Sequence, residues 1–253
     1  MKIALYQGPS PEGAAEVAMG VITRMLGAAA AAGARMAVFP EVFLPGYNQP
    51  GVADAAQPQG GPWCARLSAM AAAAGCGVTV GFAERDGAAV YNAAVAYGAD
   101  GALLAHYRKV QLYGPRENSI YTPGNRLCTF DLDGHRAALL ICYDIEFAPH
   151  VRALAEGGVT LILVPTANMM PFTHVSRLTV PSHAVNHAVS IVYANYSGTE
   201  GDLTYCGGSV IVGPDGAILA SAGTGEALLI ADLGIAPPDA ELSAQLRDYR
   251  AVE

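Results

Sequence analysis

Alternation of short apolar runs with longer helical stretches is the feature that most narrows the folds open to this chain. Residues 2–7, 35–39 and 78–83 are apolar runs of strand length. Between them lie two Ala-rich segments, 12–32 and 62–74, that read as amphipathic helices, the first ended by Gly33. A β-α-β-α-β rhythm lays helices on a sheet. Beyond residue 84 the rhythm changes. Arg85-Asp86-Gly87, Ala99-Asp100-Gly101 and Asp133-Gly134 read as hairpin turns between strands at 89–97, 102–109, 128–132 and 136–141. A strand at 160–164, a helix over 174–187 and a strand at 190–196 follow, and antiparallel strands return around Gly213-Pro214-Asp215-Gly216. No linker, repeat or low-complexity tract interrupts the pattern, so residues 1–253 read as one α/β domain with two sheets, each faced by helices.

Chemistry concentrates where strands end. In residues 139–147, Leu-Leu-Ile-Cys-Tyr-Asp-Ile-Glu-Phe, an apolar run turns polar at Cys142, and helical character follows over 147–157. A thiol at such a turn sits near backbone N–H groups that favour an anion. Alone, a free cysteine is more often a small buried hydrophobe. Two further polar residues share its position type: Glu41 follows the strand at 35–39, and Lys109 closes the strand at 102–109. The crevice beyond strand carboxyl ends is where α/β folds build sites. Each residue singly reads as a solvated strand exit. Together they form a working set, in which the thiol attacks, the carboxylate takes its proton and the ammonium stabilises a tetrahedral intermediate.

Composition removes several function classes. Only 14% of residues are charged and the net charge is −8, which argues against nucleic acid or an anionic membrane as partner. Five cysteines without a C-x-x-C pair argue for a reducing, cytoplasmic setting and against a disulfide framework or structural zinc. No apolar run reaches transmembrane length. With 52% hydrophobic residues, some apolar surface is expected to be covered by a second subunit.

Phe39-Pro40-Glu41, Tyr107-Arg108-Lys109 and Ile141-Cys142-Tyr143-Asp144 resemble the Glu, Lys and Cys motifs of the nitrilase, or carbon–nitrogen hydrolase, superfamily. The likeness extends over nearly the whole chain and includes Leu44-Pro45-Gly46-Tyr47, Val164-Pro165-Thr166-Ala167-Asn168 and Tyr193-Ala194-Asn195-Tyr196. It implies a four-layer α-β-β-α sandwich, dimers packed through helices, and cofactor-free hydrolysis of a small-molecule substrate at a non-peptide C–N bond. By position it makes Glu117 the second glutamate, which orders substrate and lysine. Cys142-Tyr143-Asp144 looks like the amidase branches, nearest to bacterial aliphatic amidases of the 5-aminopentanamidase and R-stereoselective amidase type. The implied product is a carboxylate with release of ammonia, through a Cys142 thioester. Tyr47, Tyr143, Phe147 and Asn168 are expected to line the pocket.

Departures from that group are local. Ala148-Pro149 stands where it usually has Pro-Glu, and His183-Ala184-Val185-Asn186-His187-Ala188 stands where one helix usually reads Arg-Ala-x-Glu-Asn-Gln. The substitutions suggest that a buttressing ion pair has given way to neutral groups, which bears on substrate range more than on chemistry. His183 and His187 have metal-pair spacing with His174 upstream, but Ala184 takes the place of the glutamate in H-E-x-x-H, so no metal site is expected and helical, hydrogen-bonded histidines are. Asp144 and Glu146 are expected to complement a helix dipole. Cys64, Cys76, Cys128, Cys206 and Trp63 read as packing. Alternatives are a nitrilase, an N-carbamoyl amino-acid hydrolase using Arg116, Arg152 or Arg177 as carboxylate clamp, and a non-catalytic binding homologue.

Overall fold

The computed structural model describes residues 1–234 and 242–250. In chain order the first half runs β1 (Lys2–Gln7), α1 (Ala15–Ala31), β2 (Met36–Val38), α2 (Val52–Ala55), α3 (Pro62–Ala74), β3 (Gly77–Asp86), β4 (Ala89–Tyr97) and β5 (Leu103–Arg108). It continues with α4 (Gly114–Ile120), β6 (Thr129–Leu132), β7 (His135–Leu139), a 3₁₀ turn (Cys142–Glu146), α5 (Ala148–Glu156) and β8 (Leu161–Pro165). A wide π turn (Val175–Thr179) leads into α6 (Val180–His187), β9 (Ser190–Ala194), the small hairpin β10 (Thr199–Glu200) and β11 (Leu203–Thr204), β12 (Val210–Val212), β13 (Ile218–Ser221), β14 (Ala227–Asp232) and α7 (Gln245–Asp248).

Two six-stranded mixed sheets result, ordered β14-β1-β2-β3-β4-β5 and β13-β12-β9-β8-β7-β6. Parallel pairing joins β1, β2 and β3 in one sheet and β7, β8 and β9 in the other, as short crossovers with helices require. Side chains alternate between two packing layers. Ile3, Leu5, Met36 and Val38 pack between the sheets, whereas Ala4, Tyr6, Ala37 and Phe39 pack toward the α1–α3 layer. Helices α5 and α6 cover the other sheet, completing the expected four-layer sandwich. Strands Leu161–Pro165 and Ser190–Ala194 are buried on both faces, which is why they read as continuous apolar runs.

Differences from the sequence-based expectations are few and have local causes. Helix α1 starts at Ala15 rather than 12, because Glu12 and Gly13 take positive φ values of 50° and 87°. The segment around Glu117, to which the sequence pattern assigns no element, is the helix α4, opened by Pro115 at its N-terminus. The expected helix over 174–187 begins with the π turn. His183 is not hydrogen-bonded as expected: neither ring nitrogen has a partner among the described residues, and burial, then His187, pushes its pKa down to about 4. No helix among the described residues is long and apolar enough to cross a membrane.

Candidate active site

Glu41 stands three residues past the end of β2, on a turn pressed against β3. Its N–H donates to the Thr166 carbonyl at 3.3 Å, and its carbonyl accepts the Tyr196 hydroxyl at 2.8 Å. The turn comes so near β3 that only glycine fits at position 81. A Cβ there would lie 2.6 Å from the Glu41 Cα and 2.7 Å from the Pro40 carbonyl oxygen. Val42, the next residue, holds a positive φ of 43°, a costly conformation for a β-branched residue. Beneath it Tyr6, Phe39, Phe43, Tyr196 and Tyr205 form a continuous run of ring contacts.

Lys109 follows β5, its N–H tied to the Asn92 carbonyl of β4 at 2.8 Å. Its ammonium is enclosed by two carboxylates, donating to Glu41 Oε1 at 2.7 Å and Glu117 Oε1 at 2.8 Å. Glu117 is fixed in turn: Oε1 also accepts the Tyr47 hydroxyl at 2.6 Å, and Oε2 accepts the Tyr113 N–H at 2.9 Å. Side chains of Lys109 and Glu41 are both 0% exposed. The two Glu41 oxygens differ. Oε1 accepts from Lys109 and from Asn92 Nδ2 at 2.6 Å, while Oε2 is buried without a partner among the described residues.

Cys142 opens the 3₁₀ turn with a positive φ of 46°. Asp144 clamps this turn: its carboxylate accepts the Ile141 N–H at 3.1 Å, the Gln111 N–H at 2.7 Å and the Tyr107 hydroxyl at 2.8 Å. Asp144 therefore does more than complement a helix dipole. It ties the cysteine turn to the segment that follows Lys109, and so fixes the strand exits relative to each other. Three chain segments far apart in sequence meet in one buried cluster.

Burial governs the titration of this cluster. It pushes the Glu41 carboxyl up, helped by the Glu117 charge, against the opposing pull of Lys109 and Asn92. Burial likewise raises the Cys142 thiol well above its ordinary value, with the Glu41 charge adding and Lys109, Thr166 and the Ala167 backbone opposing. For Lys109 burial acts downward, but the charges of Glu117, Glu41 and Cys142 outweigh it and keep the ammonium protonated. After burial, the Glu41 charge is the largest influence on the thiol, which makes Glu41 the neighbouring group placed to take its proton. Among the described residues no group of His, Cys, Asp and Glu is arranged to hold a metal ion.

Of the other residues singled out in the sequence, Tyr47 joins the charged cluster through Glu117. Tyr143 and Phe147 are half-buried and meet edge-to-face at 4.9 Å, and Tyr113 stands edge-on to Tyr143 at 5.3 Å and to Phe172 at 6.0 Å. Asn168 commits its side-chain N–H to the Phe172 carbonyl at 2.9 Å and receives its own backbone support from Asn195. It holds the loop that carries Phe172. Tyr196 enters a reading of the sequence only within a likeness stretch and Asn92 escapes it, although a lone asparagine inside the apolar run Ala89–Tyr97 is a signal in itself. Cys64, Cys76 and Cys206 are buried and Cys128 is half-buried, all with free thiols.

A family model for carbon–nitrogen hydrolases matches residues 2–236. The chain is 41% identical over 238 residues to the "hydrolase in pqqF 5′region" of Pseudomonas protegens, covering 92% of this chain and 82% of that protein. It is 35% identical over 214 residues to an (R)-stereoselective amidase of Pseudomonas sp., covering 84% and 76%. Among solved structures, an amidase from Nesterenkonia sp. AN1 superposes with a TM-score of 0.90 at 33% identity, covering 99% of this chain and 96% of that one. In glutamate-to-glutamine variants of that amidase, the active-site cysteine carries acrylamide by Michael addition or the acetamide moiety of fluoroacetamide.

Proposed function

The chain belongs to the carbon–nitrogen hydrolase family, and from that premise we propose that it is a thiol-dependent amidase acting on a small aliphatic or ω-amino carboxamide. The observation that carries this reading is the unequal use of the Glu41 oxygens. One is held by two donors, and the other is buried and unpartnered among the described residues, in a carboxylate whose charge raises the Cys142 thiol.

In the proposed cycle Cys142 Sγ attacks the amide carbonyl carbon while its proton passes to Glu41 Oε2. Lys109 has three N–H donors and spends two on Glu41 and Glu117, which leaves one for the oxyanion. The Tyr143 N–H, in the first turn of the 3₁₀ segment, is the second oxyanion donor. Glu41 then protonates the leaving nitrogen, the C–N bond breaks, and ammonia departs from a thioester. Water enters, gives its proton to Glu41 and attacks the thioester carbonyl. Collapse returns the proton to sulfur and releases the carboxylate. Glu117 holds the lysine throughout.

Charge around the mouth favours neutral or cationic amides over carboxylate-bearing substrates. Arg116 packs over the Tyr47 ring at 5.6 Å and donates to the Gln49 carbonyl, Arg152 pairs with Glu156 on an exposed surface, and Arg177 lines a separate groove with Ser176 and Cys206. Among the described residues none of these three makes a hydrogen bond or ion pair to the Cys142 turn. Glu146, at the end of that turn, makes no ion pair among the described residues; burial raises its carboxyl, against the opposing charges of His174 and Lys109. Tyr143, Phe147 and Asn168 belong to the proposed pocket wall. A cytoplasmic setting and a homodimer or higher assembly are part of the same proposal. They rest on free cysteines and on exposed apolar side chains such as Leu178 and Ile218.

Ammonia release from short aliphatic amides, ω-amino amides, N-carbamoyl amino acids and nitriles tests the reading, with Cys142→Ala as control. The expected result is turnover of aliphatic or ω-amino amides that vanishes in the variant. Preferential turnover of N-carbamoyl amino acids or nitriles would replace the substrate class. Silence on the panel, with Cys142 no more reactive to iodoacetamide than Cys128, would favour a non-catalytic homologue.

A further inference from the structure

The buried asparagine of β4 carries an inference beyond the family's charged set. Asn92 is 1% exposed and projects from the middle of a strand whose other inner residues are small and apolar. Its Nδ2 donates to Glu41 Oε1 at 2.6 Å, while its own Oδ1 is buried and has no partner among the described residues. An unsatisfied buried acceptor is costly, so a side chain that accepts this cost is being used for its donor. Turning the amide over would point Oδ1 at a carboxylate oxygen, so the orientation is set by chemistry.

We propose that Asn92 is a positioning residue that, with Lys109, occupies Glu41 Oε1 and thereby makes Oε2 the single oxygen through which Glu41 exchanges protons with Cys142. The inference rests on the amidase reading for the role of Glu41. Because the donor stabilises the ionised carboxylate, it also sets the pH at which the base becomes available. The charged and titratable groups facing Glu41 are Lys109 at the end of β5, Glu117 of α4, Cys142 on the 3₁₀ turn, and the hydroxyls of Tyr47, Tyr121, Tyr193, Tyr196 and Tyr205. All of these remain when Asn92 alone is changed.

The test is the pH dependence of iodoacetamide alkylation at Cys142, followed by peptide mass spectrometry in the full chain and in Asn92→Leu, Asn92→Ala and Asn92→His. Losing one hydrogen bond to a carboxylate should move the acid limb of the profile to higher pH by about one unit. Leucine and alanine, which differ in volume but both lack the donor, should shift it equally. Histidine, which supplies a ring N–H, should restore part of the shift. A profile unchanged in folded Asn92→Leu and Asn92→Ala would overturn the proposal. Collapse of all three variants would also overturn it, by assigning Asn92 to the fold. The assay needs no substrate, so an incorrect amide class leaves it intact. Glu41→Gln separates the two failures: an acid limb that persists in that variant counts against Glu41 as the base, whatever Asn92 does.

Discussion

Arg108 and Lys109 are consecutive residues at the end of β5, and the pleat sends them to two different charge clusters. On the outer side, Arg108 donates to both oxygens of Glu84 at 3.0 and 2.6 Å, reaches Asp86 at 2.8 Å, and lies over the Tyr91 ring. His106 adds a contact to Glu84 at 2.7 Å. On the inner side, Lys109 joins Glu41 and Glu117. The Arg108 side chain is 27% exposed and that of Lys109 is 0% exposed. Both clusters pair a cation with two carboxylates, yet they differ in satisfaction. Every Glu84 oxygen is matched by a rigid fork, whereas Glu41 keeps one oxygen open. Their titrations diverge accordingly. Burial alone would raise Glu84, but His106 and Arg108 outweigh it and hold the carboxyl below its ordinary value, while Glu41 ends above. A matched cluster serves the fold, and the unmatched oxygen is where proton chemistry becomes possible.

Exchanging the two cations for methionine gives the largest expected contrast. Lys109→Met removes an oxyanion donor, lowering kcat/KM by about 10²–10³. It also leaves two buried carboxylates unpaired, at a cost of about 3–5 kcal/mol in stability. Arg108→Met should cost about 1–2 kcal/mol, since His106 still contacts Glu84, and should keep kcat/KM near wild type. Steady-state kinetics and urea melts on both variants check this; equal losses of kcat/KM would erase the distinction between the clusters.

Acidity separates them next. Because Glu41 is raised, the acid limb of kcat/KM should lie above the free glutamate value of about 4.3, with activity falling tenfold per pH unit below it. Glu84 works in the opposite sense. Its folded pKa is depressed, so its contribution to stability is complete above about pH 4.3 and is lost as pH falls through the folded value. Activity should thus decline at a higher pH than that at which Glu84 begins to weaken the fold. A rate limb at or below pH 4.3 would contradict the inner assignment.

Backbone approach offers a third contrast. Gly81→Ala forces a Cβ against the Glu41 turn and should cost about 1–3 kcal/mol together with much of the activity. Gly87, in the hairpin beside the outer cluster, has φ of 57° and open space where a Cβ would stand, so Gly87→Ala should cost only about 1–2 kcal/mol and leave turnover intact. Paired melts and rates decide the matter. The smallest expected effect is that of salt: raising ionic strength should weaken the part-exposed Arg108–Asp86 contact by a few tenths of a kcal/mol and leave the Lys109 cluster unmoved.

Much of this was legible in the chain. Strands Lys2–Gln7 and Ala89–Tyr97 and helix Pro62–Ala74 have the bounds that their apolar patterns and turn residues suggest. Glu41, Lys109 and Cys142 stood out because each follows an apolar run. The helix α4 was obscured because seven residues with Gly and Pro at the start carry too little periodicity to register. Asp144 was underread because its Tyr107 and Gln111 partners come from β5 and the segment beyond it. His183 lacks its expected hydrogen bonds because α6 buries its ring beside that of His187, with no partner for either nitrogen among the described residues.

By itself the sequence determined where strands end and which chemical groups stand at those ends, since periodicity and turn residues act over a few neighbours. It also determined the family, because three motifs recur in order. Only the tertiary structure decided which groups touch. Asn92 reaches Glu41 across 51 positions and Tyr196 reaches its carbonyl across 155. Sheet order and register set such pairings, and so does the close approach of β3 at Gly81. Which carboxylate oxygen stays free depends on donors converging from β4 and from the end of β5, and no local pattern in the chain encodes it.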